Sequence, residues 1–265
     1  GTAAAHGAPL GQEKLAQAKK TLGLDPAEQF FVAPEAYRYF EERQKEFAQA
    51  EADWNSRFAA WSAAYPERRK EWDQSFVQGG IDQAVLDGVA DPVFKKDEMI
   101  ATRAASKTAL NAFAKAFPNL VGGSADLQGP NAVALQDAQS FTAATPQGRY
   151  IHFGIREFAM ATITNGIQLH GGFRAFCATF AVFSDYLRPA LRLAALMRIP
   201  SIFVLTHDSI FVGEDGPTHQ PVETLASLRA IPNLLVLRPA DAEETAVAWR
   251  IALEQKDRPV CLILS

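Results

Sequence analysis

The stretch THDSIFVGEDGPTHQP, residues 206–221, gathers His207, His219, Glu214, Asp208 and Asp215 on a frame of glycines and a proline. Imidazoles near their titration range can donate hydrogen bonds or relay protons at neutral pH. Simpler templates fit poorly. The two histidines lack a third ligand at zinc spacing. HDS sits in no G-x-S-x-G nucleophile turn. Upstream, GGSADL at 122–127 reads as a glycine-rich turn, yet it lacks the P-loop lysine and is not G-x-G-x-x-G.

These groups need elements to hold them. From about residue 96, short apolar runs alternate with amphipathic ones. NLVGG, RYIHFG, FRAFCATF, PSIFVLT, NLLVLRPA and PVCLILS read as strands, NLVGG as a strand running into a turn. EMIATRAASKTALNAFAKAF, REFAMATITNGIQLH, VFSDYLRPALRLAALM, PVETLASLRAI and AEETAVAWRIALEQ read as helices. Strands apolar on both faces, alternating with such helices, predict an α/β fold: a parallel sheet with helices on both faces. Ligands of open parallel sheets bind beyond the carboxyl ends of the strands. The strands here run out into GGSADL, GIRE, TFAVFSDY, THDSIFVGEDGPTH and RPAD, so the ionisable groups collect at one edge of the sheet.

Before the sheet region the texture is helical. QEKLAQAKKTLG predicts a short helix ended by Gly23, and Asp25 with Pro26 reads as a helix cap and first turn. Residues 35–64 predict a long helix. Tyr37, Phe40, Phe47, Trp54, Phe58, Trp61 and Tyr65 form one aromatic stripe, which suits either a linker packed on a neighbouring domain or an independent binding helix. ERRKEWDQSFVQ predicts a second helix after Pro66.

The totals bound the rest. The 265 residues carry a net charge of -4 with no polybasic block, which disfavours nucleic acid and anionic membrane as partners. No signal peptide or membrane-length apolar run is seen. Cys177 and Cys261 lie far apart in apolar runs, which reads as a pair of reduced core thiols in a cytoplasmic protein. The chain starts without methionine and stops inside a strand-like run, so a piece of a longer polypeptide is expected.

The ordered series HGAP, ATR, GGSADL, GIRE, TF..FSDY, THDS, GEDGPTHQP and RPAD closely resembles the transketolase family over essentially the whole chain. The resemblance implies a thiamine-diphosphate-binding fold: residues 1–25 as the tail of the diphosphate-binding domain, 26–95 as a helical linker, and 96–265 as the pyrimidine-binding domain. It implies ketol transfer from a ketose phosphate to an aldose phosphate. It also implies a homodimer with the site between subunits, completed by the remaining parts of the enzyme. Thiamine diphosphate would be held with Mg2+ or Ca2+, whose ligands belong to the diphosphate-binding domain and not to this chain. Glu157 in GIRE matches the glutamate that shares a proton with the aminopyrimidine ring; alone it reads as a helix N-terminal acid. Phe180, Phe183 and Tyr186 match the aromatic pocket of that ring, and Asp126 matches an acid near the pocket. His207 and Asp215 resemble residues that bind sugar hydroxyls, and His219 one near the donor carbonyl. His6 resembles a histidine near the diphosphate and substrate, and Arg103 an arginine that grips the sugar phosphate.

One position departs. Where the family reads Ser-Asn after SADL and two residues, this chain has Pro130-Asn131, so one phosphate-contacting hydroxyl is missing. The family's second phosphate arginine would follow Ser265. Two alternatives share the motifs: ketol transfer to formaldehyde of the dihydroxyacetone synthase type, and a non-catalytic partner subunit of the same fold.

Overall fold

The computed structural model describes residues 3–96 and 99–265. By packing, the chain divides into two units, Gly1–Pro66 and Glu67–Ser265.

The first unit contains α1 (Gln12–Thr21) and α2 (Pro34–Ala64), neither of which buries a side chain. Pro34 opens α2 at the position where its missing N–H costs nothing. Along α2 the aromatic stripe becomes a ladder. Trp54 stacks on Phe58 at 4.7 Å, Phe58 on Trp61 at 5.6 Å, and Tyr65 lies 6.5 Å from Trp61. The expected helix at Asp25-Pro26 is absent. Asp25 Oδ1 instead accepts the Ala27 N–H at 2.8 Å, an Asx turn that uses the same side-chain chemistry without a helix behind it.

The second unit begins with α3 (Pro66–Ser75, but for its first residue) and α4 (Gln83–Asp87), then α5 (Thr102–Ala116). The expected start of α5 at residue 98 falls outside the described residues. Next come β1 (Leu120–Ser124), β2 (Tyr150–His152), α6 (Glu157–His170), β3 (Arg174–Phe180) and α7 (Ser184–Met197). β4 (Ile202–Thr206), α8 (Thr224–Arg229), β5 (Leu235–Leu237), α9 (Ala242–Glu254) and β6 (Val260–Ile263) complete it. The six strands form one sheet in the order β2-β1-β3-β4-β6-β5, every pair parallel. From residue 66 on, each expected strand and helix has its counterpart, and α4 is additional. β5 is a half-buried edge strand and not a fully buried one.

Alternation along the central strands explains the two covered faces. Phe176, Ile202, Val204, Val260 and Leu262 join one core with Leu110 and Phe113 of α5 and Trp249 of α9. Cys177, Phe203, Leu205, Cys261 and Ile263 join the other with Met160 of α6, Leu187 and Leu191 of α7 and Leu228 of α8. Each fully buried large apolar side chain contributes about 1.5–3 kcal/mol. Strands loaded on both faces can therefore exist only inside such a sandwich.

The glycines of GGSADL sit inside β1 and not in a turn. A Cβ on Gly122 would lie 2.2 Å from the Phe176 carbonyl oxygen, and one on Gly123 only 1.8 Å from that of Ile151. The pair is there for close approach of β3 and β2, not for a phosphate-cradling loop.

Polar clamps fix the opposite edge of the sheet. Arg174, fully buried at the start of β3, donates to the carbonyls of Gly79 and Gln255 at 3.0 Å each and also to that of Ala252. Its charge thus lies against the carboxyl end of α9, where the helix dipole favours a cation. Asn119 Nδ2 donates to the Gly80 carbonyl at 2.6 Å. These bonds tie residues 79–80 to the sheet.

Candidate active site at the carboxyl edge of the sheet

β3 and β4 are neighbours, so the residues just beyond them meet. Phe180 ends β3, a 3-10 turn over Ala181–Phe183 comes next, and Tyr186 lies in the first turn of α7. Phe180 and Phe183 are parallel within 5° at 6.0 Å. His207, directly after β4, lays its ring 3.9 Å from that of Phe180. His219 stands edge-on to both, 6.0 Å from Phe180 and 5.1 Å from Phe183. Tyr186 lies 6.1 Å from Phe183 at the exposed rim. The result is an apolar slot with two imidazoles on its wall.

The loop between the histidines holds this shape through its own bonds. Ser209 Oγ accepts from the Phe211 N–H at 3.3 Å, and the His219 N–H donates to the Gly216 carbonyl at 3.0 Å. Gly213 and Gly216 both take positive φ, which the loop needs at these corners. His207 itself has φ 57°, a left-handed conformation costing about 1–2 kcal/mol for a residue with a Cβ. The surrounding bonds must hold it there.

Electrostatics bring in two more expected residues. Burial pushes the pKa of His207 down, and the nearby Arg103 guanidinium and His219 push the same way. Asp215 and Asp208 oppose them. Arg103 reaches this place because α5 is tied to the end of β6. The Ser265 N–H donates to Thr102 Oγ1 at 2.7 Å, and the Arg103 N–H donates to the Ser265 carbonyl at 3.1 Å. Asp208 is tied to Arg238 of the RPAD stretch at 2.6 Å, a partner that the motifs alone do not assign.

Glu157 and Asp126 share no hydrogen bond or ring contact with the slot among the described residues. Glu157 is buried in the first turn of α6, and its carboxyl has no hydrogen-bond partner among the described residues. Asp126 is exposed at a left-handed position beyond β1. With Ser124, Pro130, His152 and Arg156 it lines a cleft of about 430 Å³ at the ends of β1 and β2. His6 lies exposed in the first unit. The described residues contain no group of three or more His, Cys, Asp or Glu able to hold a metal ion. No described helix is long and apolar enough to cross a membrane.

The carboxyl edge of a parallel sheet, where such folds bind their ligands, thus carries a flat aromatic slot beside two imidazoles. Residues 98–265 match the family described as transketolase, pyrimidine binding domain, and residues 1–80 that described as transketolase, thiamine diphosphate binding domain. The chain belongs to the transketolase family. It is 63% identical over 265 residues to a transketolase of Treponema pallidum, covering all of this chain and 40% of that protein. A solved transketolase from Leishmania mexicana superposes with a TM-score of 0.88 at 39% identity, over 97% of this chain and 38% of that one. One from Pichia stipitis in complex with sedoheptulose 7-phosphate gives 0.88 at 39% identity, over 98% and 39%. The chain thus spans about two fifths of the length of the relatives it matches.

Proposed function

We propose that this chain is the pyrimidine-binding part of a transketolase that moves a two-carbon ketol unit between sugar phosphates. The observation that carries the reading is the slot of Phe180, Phe183, His207 and His219, with Arg103 and Asp215 acting on its His207. The domain boundaries proposed are 1–25, 26–95 and 96–265.

The residues present fit the pyrimidine end of thiamine diphosphate. Parallel phenyl faces suit a flat ring and exclude water, and the buried, unpartnered Glu157 offers a carboxyl for a ring nitrogen. When bound, the cofactor supplies a stabilised carbanion equivalent. The chain's own part is to wall the ring with Phe180, Phe183 and Tyr186, to hold a proton at the Glu157 carboxyl, and to keep Asp126 nearby in a supporting place. His207, Asp215 and His219 hold sugar hydroxyls, Arg103 holds the sugar phosphate, and His6 serves the diphosphate and substrate. The relative solved with sedoheptulose 7-phosphate supports this substrate class. Mg2+ or Ca2+ would be ligated outside this chain. A homodimer fits the apolar residues exposed on α6 and α7, among them Phe158, Ile163, Leu169, Leu193 and Leu196. The two free, buried cysteines suit a reducing cytoplasm, and ketol transfer between sugar phosphates would place the enzyme in the pentose phosphate pathway.

The test is ketol transfer from xylulose 5-phosphate to ribose 5-phosphate by the full-length enzyme, with and without added thiamine diphosphate. Cofactor-dependent turnover is expected. Its absence in a folded, cofactor-saturated enzyme would overturn the reading.

A further inference from the structure

Behind His207 lies a hydrogen-bonded chain that crosses between distant parts of the sequence. Asn131 Nδ2 donates to Thr206 Oγ1 at 2.7 Å, a link spanning 75 residues. Thr206 Oγ1 lies 2.8 Å from His207 Nδ1. Asn131 and Thr206 are both fully buried. Asn131 is itself held by its N–H to the Leu127 carbonyl at 2.8 Å, just after Pro130 and before the left-handed Ala132.

Proton accounting gives the chain a direction. Thr206 has one hydroxyl hydrogen. Its oxygen already accepts from the Asn131 amide, so the hydrogen is free to donate to His207 Nδ1. A neutral imidazole that accepts at Nδ1 carries its proton on Nε2. With Asn131 Nδ2 facing Thr206, the reverse arrangement has Thr206 Oγ1 accepting from both neighbours and leaves its own hydrogen with no acceptor among the described residues. Asn131 Oδ1 is buried with no hydrogen-bond donor beside it. A buried donor without an acceptor costs more than an under-used carbonyl, so with the amide nitrogen facing Thr206 the network selects the first arrangement.

We propose that Asn131 and Thr206 are positioning residues that hold His207 as a neutral Nε2–H donor to an oxygen of the sugar phosphate. The proposal rests on the reading that His207 contacts the sugar. It accounts for two features that reading leaves aside. A buried asparagine with an idle carbonyl has no packing rationale, but it has one as a fixed donor. The left-handed backbone of His207 is the strain that these two bonds stabilise. The charged and titratable groups that act on His207 divide evenly: Arg103 and His219 favour the neutral ring, and Asp215 and Asp208 the charged one. The tautomer is then set by the hydroxyl behind the ring.

The experiment uses the full-length enzyme labelled with 15N-histidine, with the His207 resonances identified by their loss in His207→Gln. The expected wild-type spectrum at pH 7.5 shows a pyridine-type Nδ1 and a pyrrole-type Nε2. Thr206→Val keeps the shape and removes the hydroxyl. It should give a mixed-tautomer spectrum and a KM for xylulose 5-phosphate raised about tenfold, the loss of one hydrogen bond. Thr206→Ser should restore both. A proton on Nδ1 in the wild type, which needs no variant to fold, or an unaltered spectrum in Thr206→Val, would overturn the proposal. The expected spectra with an unchanged KM would overturn instead the placement of His207 against the sugar.

Discussion

Replacing Gly123 with alanine tests how β1 positions the site. The added Cβ would sit 1.8 Å from the Ile151 carbonyl oxygen and 2.8 Å from its carbon. No side-chain rotation relieves this, because the obstacle is backbone. Reaching even a 3.0 Å contact opens the β1–β2 gap by about 1.2 Å, enough to take strand hydrogen bonds out of range. β2 pairs with β1 through only three residues, Tyr150, Ile151 and His152. Losing about two ladder bonds, and the 3.0 Å bond between Ser124 Oγ and the Tyr150 hydroxyl, costs about 3 kcal/mol. β2 also leads straight into Phe153, Gly154 and Glu157, so the carboxyl at the head of α6 should shift with it. Urea unfolding of the full-length enzyme should show the lower midpoint, and turnover should fall further than stability alone explains. Gly129→Ala is the control. Its Cβ would meet nothing within 4 Å and its φ is not positive, so it should be neutral within about 0.5 kcal/mol. A Gly123→Ala enzyme as stable and active as Gly129→Ala would refute the close-approach argument.

The remaining predictions concern charge and burial. Arg103→Gln removes a cation that disfavours protonated His207, so the His207 titration followed by NMR should move up; Asp208→Asn should move it down. Folding favours the neutral ring, so this group's contribution to stability is full above the unfolded value of about 6.5 and is lost as pH falls from there through the lower folded value. Arg103→Gln should shrink that acid-side loss, and a larger loss would contradict the assignment. Burial pushes the Cys177 thiol up to about 12 and that of Cys261 higher still. Iodoacetamide at pH 8 should label neither in the native enzyme and both after unfolding, as read by intact mass.

Much of the fold was legible because each central strand carries its own periodicity. FRAFCATF and PSIFVLT are apolar on both faces, and only a sheet covered on both sides can bury them. The glycines of β1 misled, since Gly-Gly before Ser-Ala-Asp has the composition of a turn; their need arises from Phe176 and Ile151, which sequence proximity does not reveal. Asp25-Pro26 misled for a related reason: an Asx turn and a helix cap use the same bond. The grouping of residues at this edge was legible where motifs are contiguous: His207, Asp215 and His219, from one stretch of sequence, act on one another in the structure. Asn131 and Thr206 were not, because their bond spans 75 residues and carries no local signature. Pro130 stands out in the sequence only as a missing hydroxyl, while nothing local marks its neighbour as the residue that reaches Thr206 behind the histidine. Arg238 stood in the quoted RPAD motif, yet its pairing with Asp208 depends on β5 and β4 ending at the same edge.

The central claim is that this chain brings a proton-holding carboxyl and an aromatic slot to the pyrimidine ring of thiamine diphosphate. The most direct measurement is turnover of xylulose 5-phosphate with ribose 5-phosphate by full-length enzyme carrying Glu157→Ala, at saturating cofactor, with unfolding followed on the same preparation. The account predicts a loss of at least about 100-fold in kcat, the range of a displaced proton-transfer group, with the fold retained. A folded Glu157→Ala enzyme with near-normal kcat would contradict it.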